Sequence, residues 1–391
     1  MKFLTIILAI IFHVATFGQS KTLKKAEKLI DNKQYESAIH ILNEADPENE
    51  NPNIVIAKTD LFLDYFVSSV MHQMFALTDL EEYQTIMDVR GSEGEFTMFS
   101  FKADSILLAL IEKYPQNFSL HKTLGNYYHQ VHLKYGENWL QPDSTVLQKM
   151  ARHYQTAYEN RLFDYWSTYG LGYYHLMNQQ YAGSIPYFEK STELKTDHPA
   201  SHYNLAYAYL YTDQPENAIK SAEKSLKLYE DPEYKADAAR MIAVIHQEMA
   251  DPEKAWEYYK LANELLSDNY YTLKPLLDLA VMLDKESAAE LTQEFFLLDP
   301  ENPTIYKDLI TIYGKSNGMN ALIGFLEDQK QVQDDTKIKA NIRFYLGVIH
   351  YNLQNVQAAH SNFKEAKKLF QDVFQPAHPV FKAIESYTSK L

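Results

Sequence analysis

Two stretches of this chain repeat one another, DQPENAIKSAEKSLKLYE at 213–230 and DPEKAWEYYKLANELLS at 251–267, each opening on Pro-Glu-Xaa-Ala or its near equivalent. Aligned on that opening, Ala218 matches Ala255, Ala222 matches Tyr259 and Ser225 matches Ala262. Ser184, Phe188 and Ser191 fill the same three slots upstream, and Ala359, Phe363 and Ala366 fill them downstream. From Ser184 to Ala218 is 34 residues and from Ala218 to Ala255 is 37, and Ala288 and Ala321 stand at the two remaining steps before Ala359. A chain with such a period is a row of like units, because one unit cannot bury its own apolar face and must stack on the next.

Twelve residues before each first slot stands a small or apolar residue of another helix: Gly172, Ala206, Ala243, Ile310 (imperfectly spaced) and Gly347, preceded by Leu171, Leu205, Ile242, Leu309 and Leu346. Small residues belong where two helices of a hairpin cross, since a larger side chain would hold them apart. The aromatic four residues after the Ala lies on the same face, and it is expected to fill the space toward the next unit. This pattern of a 34-residue period, two helices per unit, Leu-small and then Ala…Phe…Ala resembles the tetratricopeptide repeat over roughly residues 117–370. The resemblance implies an all-α fold, a right-handed superhelical solenoid of antiparallel helix pairs.

Looser units flank that core. Leu124-Gly125 and Tyr128 belong to a first helix whose partner carries Tyr154 and Ala157 after an insertion around GENWLQPDS. A truncated pair is expected to open the mature chain, with Ala38, Leu42 and Ala45 in the slots. The expected organisation is a signal peptide at 1–18, the truncated pair at 19–52, a divergent helical region at 53–115 broken at GSEGE, the solenoid at 116–370 with its insertion near 136–145, and a C-terminal capping helix at 371–391.

The first residues, MKFLTIILAIIFHVATFGQS, carry Lys2, an apolar run from Phe3 to Phe17 and small residues at Thr16 and Gly18. That is the pattern of a secretory signal, with cleavage expected after Gly18. The run is shorter than the ~20 apolar residues a bilayer span needs, so no stable span is expected after cleavage. In style the N-terminus resembles that of Bacteroidetes envelope proteins, which implies a periplasmic or extracellular location.

Composition removes several functions. The formal net charge is −15 and Lys and Arg do not cluster, so nucleic acid is not an expected partner. Cysteine is absent, which excludes disulfides, thiolate catalysis and thiolate metal sites. HQEMA at 246 lacks the second His of a metalloprotease helix, and GLG at 170 sits inside a helical pattern rather than a phosphate loop. His129 with His132, and His198 with His202, have spacings that could hold a metal, but the surrounding pattern reads as packing. No enzyme, cofactor or metal is expected. A rival reading is an undetected enzyme whose site lies in residues 53–115, with His72, Asp79 and Glu81 as the residues whose replacement tests it.

In tetratricopeptide-repeat proteins, ligands usually lie on the concave face lined by first helices. Carried over, that face holds Trp166, Tyr169 and Tyr173 around Gly172, then Tyr203, Tyr207 and Tyr211 around Ala206, then Phe344 and Tyr351 around Gly347. Tyrosine offers large contact area, little entropy to lose and a hydroxyl. The expected function is therefore a non-enzymatic scaffold for a protein or peptide; the alternative is a glycan-binding component of an envelope uptake system. The carboxylate clamp of one subfamily is matched only by Lys122 and Asn126, since Gly170, Ala200 and Asn204 stand at its other positions.

Overall fold

The computed structural model describes residues 21–92, Gly94 and 96–391; the expected signal segment lies outside the described residues. The chain divides into two compact units, Met1–Ala208 and Tyr209–Leu391. The first unit holds α1 (residues 21–31), α2 (Tyr35–Ala45), α3 (Pro52–Tyr65), β1 (Ser68–Val70), β2 (Met74–Ala76), α4 (Ile86–Val89), β3 (Met98–Ser100), α5 (Ala103–Lys113), α6 (Phe118–Tyr135), α7 (Asp143–Glu159), α8 (Tyr165–Met177) and α9 (Tyr181–Leu194). Helix α10 (Pro199–Leu210) carries the boundary. The second unit continues with α11 (Pro215–Leu228), α12 (Pro232–Glu248), α13 (Pro252–Leu265), α14 (Tyr270–Met282), α15 (Ala288–Leu297), α16 (Pro303–Lys315), α17 (Met319–Val332), α18 (Thr336–Asn352), α19 (Val356–Gln371) and α20 (Pro379–Thr388). Each unit is a run of antiparallel helix pairs, the all-α solenoid architecture, with α6–α7, α8–α9, α12–α13 and α18–α19 the most extensively packed.

The small slots act at the helix crossings. A Cβ added to Gly172 would come within 2.7 Å of the Phe188 ring, and one added to Gly347 within 2.8 Å of the Phe363 ring. Gly125 stands against Tyr154 in the same way. The aromatic of each second helix thus sits over the glycine of its own hairpin, and Tyr154 and Phe363 also reach the following helix, at Gly170 of α8 and Tyr387 of α20. Where the slot is alanine the pairing adjusts, and Ala206, Ala222, Ala243 and Tyr259 are all buried.

Two expected slots shift. Leu322, not Ala321, is buried with Leu326 and Gln329, while Ala321 is exposed. Ala45 is exposed at the end of α2, and Asp46 beyond it is buried instead. The first hairpin is nonetheless a full one. Ala26 of α1, twelve residues before Ala38, is buried at the crossing.

One turn recurs between the two helices of the hairpins. Lys33, Gln179, Asp213, Ala250, Asp284, Asn317 and Gln354 all have φ between 52° and 60°. In each case the next amide donates to the carbonyl five residues back, as Gln180 N does to His175 O and Asp251 N to His246 O, at 2.8–3.0 Å. This is the six-to-one closure of a Schellman cap, which uses otherwise unbonded carbonyls at the end of the first helix. The longer steps of the period have a local cause. First helices α12 and α18 have 17 residues, against 12 or 13 for α8, α10, α14 and α16. An added turn keeps the buried face in register.

Residues 53–115 depart from the helical expectation. They form one hairpin, α3 with α5, whose connection carries a three-stranded antiparallel sheet of order β1-β2-β3 and the short α4. Ala103, Leu107 and Leu110 are the buried face of α5, at the same spacing as Ala218, Ala222 and Ser225. Phe75 of β2 stacks on Phe62 of α3 at 4.9 Å, which seats the sheet on the hairpin. The segment after β2 is fastened to the first hairpin, with Leu80 N donating to Lys33 O and the Asp79 carboxylate accepting from Ser37 N and Ser37 Oγ near the start of α2. The α6–α7 insertion is a 3-10 turn at Gly136–Asn138 followed by Trp139, whose ring rests 4.9 Å from Tyr135.

Candidate functional site

First helices α6 and α8 lie side by side and form one continuous strip of polar and aromatic side chains. On α6 the face runs Ser119, Lys122, Asn126, His129 and His132, at spacings of three and four that keep them in line. On α8 it runs Trp166, Tyr169 and Tyr173. Asp164 starts α8 as its N-cap, accepting from Ser167 N, and pairs with Lys122 Nζ at 2.5 Å, which ties the two helices together.

One end of the strip is a polar pocket of about 300 Å³ whose lining includes Asp60, Ser119, Lys122, Asn126, Arg161 and Phe163. Burial, with Asp64 beside it, raises the Asp60 carboxyl to about 6. Lys122 and Asn126, the two positions that match the carboxylate clamp, both line this pocket. Neither is idle, because Lys122 holds Asp164 and Asn126 Oδ1 accepts from Tyr154 OH at 3.0 Å. Asn204, a third clamp position, donates to Tyr169 OH at 3.1 Å.

From the pocket the strip passes into aromatic rings. His129 Nδ1 lies 3.3 Å from Tyr154 OH, and its ring stacks on Trp166 at 4.3 Å and 17°. Trp166 follows onto Tyr169 at 5.8 Å, and Tyr169 onto Tyr173 at 6.2 Å. His198 meets the Tyr169 ring edge-on at 5.2 Å. Burial raises the Tyr169 hydroxyl to about 12, so it is a neutral hydrogen-bonding group throughout the physiological range.

The remaining expected groove residues divide. Tyr203 and Tyr207 are half-buried on α10, Tyr207 with its ring 6.1 Å from Tyr181, and Tyr211 is 54% exposed. Phe344 and Tyr351 do not line a groove. The last helix, α20, covers both through Tyr387, whose ring is 6.2 Å from Phe344 and 5.1 Å from Tyr351. Their helix is the final first helix of the array, so the groove positions of that unit become the seat of the terminal cap.

The histidine pairs separate. His129 faces Tyr154, whereas His132 Nδ1 bonds the Asp143 carboxylate at 2.8 Å. His198 Nδ1 bonds Ser201 Oγ, and His202 Nε2 bonds Thr196 O. Another pair was not foreseen, His121 Nδ1 to His153 Nδ1 at 3.0 Å, which lies on two different helices and so carries no spacing signal. Among the described residues no group of three or more His, Asp or Glu could hold a metal ion. His72, Asp79 and Glu81 do not converge either. His72 is buried against Ser69 and Tyr135, Asp79 holds Ser37, and Glu81 is exposed. Among the described residues no helix is long and apolar enough to cross a membrane.

These hairpins and their shared crossing define a helical-repeat protein. More particularly, residues 199–232 match the tetratricopeptide repeat family. No curated protein matches the chain. Among solved structures, the chain is similar to MamA at 17% identity, covering 42% of this chain and 86% of that one with a TM-score of 0.34. It is also similar to YrrB, described as a TPR protein with an unusual peptide-binding site, at 17% identity, 48% and 96% coverage and a TM-score of 0.37. A tetratricopeptide repeat protein from Parabacteroides merdae is 14% identical, with 63% and 94% coverage and a TM-score of 0.39.

Proposed function

We propose that the protein is a non-enzymatic scaffold that holds a protein or peptide segment in the cell envelope, along the α6–α8 strip and onward over Tyr203 and Tyr207. The carrying observation is the order of chemistry on one line, a charged pocket at Asp60, Lys122 and Arg161 followed by the ladder His129, Trp166, Tyr169, Tyr173. An extended peptide advances about 3.3 Å per residue, so a few residues would reach from pocket to ladder. Its polar end would find charged partners and its apolar side chains would meet ring edges and hydroxyls. The envelope location rests on the residues at 1–18, which carry the pattern of an export signal.

The glycan alternative needs an open ring face for the sugar. Trp166 has one face covered by His129 at 4.3 Å, which leaves at most its other face for a sugar. The test is capture of partners from envelope extract by the full chain, with thermal shifts against peptide and oligosaccharide panels. Tyr203→Ala with Tyr207→Ala, and separately Trp166→Ala, should each lose capture while the helical circular dichroism is kept. Capture that survives both sets of changes would exclude the strip, and thermal stabilisation by oligosaccharides alone would favour the glycan role.

A further inference from the structure

A second groove, of about 710 Å³, runs between α7 and the α8–α9 hairpin, and none of its lining residues belongs to the strip. Its α7 wall is Thr145, Lys149, Arg152 and Gln155, spaced so that all four lie on one face of the helix. The floor is Leu171 and Tyr174, and the far wall is Tyr187, whose ring lies parallel to His175 at 5.3 Å. Its volume is within the range of about 300–1,000 Å³ typical of ligand pockets.

The charge of this groove is opposite to that of the chain. Two cations line it and no carboxylate does, in a protein of net charge −15. Several cations elsewhere are matched, as Lys190 is by Glu193, Arg240 by Asp237 and Arg343 by Glu365. Here Lys149 Nζ bonds only the neutral Gln141 Oε1 and lies over the Tyr128 ring at 5.3 Å. Arg152 is exposed, and among the described residues it forms no ion pair. The nearest acid in the bonding pattern is Glu159, which accepts from Gln155 Nε2 at 2.9 Å and is not part of the lining.

We propose that this groove is a second docking site, for a short acidic peptide segment whose carboxylates meet Lys149 and Arg152 while an apolar or aromatic side chain rests on Leu171 and Tyr174. Two uncompensated cations give direction and the apolar floor gives contact area. A long polyanion is disfavoured, because the surrounding negative charge repels it beyond the groove.

The experiment uses the full chain and a fluorescein-labelled peptide Asp-Glu-Leu-Tyr-Glu-Asp, read by polarisation at low salt, with Asn-Gln-Leu-Tyr-Gln-Asn as the neutral control. Saturable binding of the acidic peptide is expected. It should weaken about tenfold in Lys149→Gln/Arg152→Gln and in 0.5 M salt, since surface charge pairs are weak individually and are screened by salt. The neutral peptide should not bind at the same concentrations. Trp166→Ala should leave binding unchanged, which separates this groove from the strip. Should the double variant lose helicity, Arg152→Glu alone, at an exposed position, must give the loss. Absence of saturable binding, binding that survives the charge changes, or loss in Trp166→Ala would each overturn the proposal.

Discussion

Ala250 holds φ at 56° in a turn where Asp213, Asp284 and Asn317 occupy the equivalent place. A left-handed backbone costs an L-residue with a Cβ roughly 1–2 kcal/mol, and Asn or Asp recovers part of that by local hydrogen bonds that Ala cannot make. Ala250→Gly should therefore stabilise the second unit by about 0.5–1 kcal/mol, seen as a higher urea midpoint at unchanged slope. The opposite sign is expected at the crossings. Gly172→Ala places a methyl 2.7 Å from the Phe188 ring in a closed contact, and should cost about 1–3 kcal/mol. Phe188→Leu in the same chain should recover part of that loss, and a cycle with no coupling between the two sites would show that they do not meet. Lys58 shows how a residue can be hidden from sequence reading. It is fully buried, yet its Nζ bonds Asp46 O at 2.6 Å and Asn49 Oδ1 at 2.7 Å, so it serves as an internal tie for the turn before α3.

At the scale of elements, the slot residues of the second helices are the most vulnerable points. Glutamate at Ser184, Ala218 or Ala255, all fully buried, would carry an unpaired charge into a helix crossing. Each should destabilise by several kcal/mol in chemical denaturation. The final helix makes a different prediction. A chain ending at Gln375 would uncover Phe344, Phe363 and Phe370, which now pack with Phe381, Ile384 and Tyr387. Loss of that cover should lower the melting temperature and promote association, measured by calorimetry and light scattering.

The helix pairs were legible because their small slots and flanking prolines each lie within one element and recur at a steady period. The sheet was not. Its hairpin turns at Met71 and His72, both at positive φ without glycine or asparagine, so the usual turn signal is missing. What holds the turn is remote, since Tyr135 OH lies 3.1 Å from His72 Nδ1 and accepts from His72 N at 3.2 Å. The candidate strip was half legible for a related reason. Spacing placed Trp166, Tyr169 and Tyr173 in line, but only tertiary packing showed that His129 completes the ladder and that Phe344 and Tyr351 are covered by α20.

On the scale of the molecule, the two units differ in how strongly their buried imidazoles are depressed. His72 and His129 are depressed to about 3 and His153 to about 4, in each case first by burial and then by neighbouring positive charge, and all three lie in the first unit. The unfolded chain takes up protons near 6.5 at these sites while the folded unit does not. Stability is therefore lost as pH falls from about 6.5 toward 4, by roughly 1.4 kcal/mol per pH unit for each imidazole. Asp60 opposes this in part. Its folded value of about 6 lies above the unfolded 3.8, so its protonation between those limits favours the folded unit. Asp64 beside it is raised as well, and burial also lowers His246 in the second unit. The three strongly depressed imidazoles outweigh these, and hydrogen exchange at pH 5 should show the first unit losing protection ahead of the second. Equal loss in both units, or none, would contradict this assignment.

The recurrent left-handed turn also bears on how such a chain could change length over time. Gln179 and Asp213 stand 34 residues apart at chemically equivalent corners, each followed by a glutamine whose amide closes the preceding helix. Excising the stretch between them would splice one corner onto its twin, with the same closing bond and the same entry into the next helix. Gain or loss of whole copies thus requires no new joint, only a cut at matching bends.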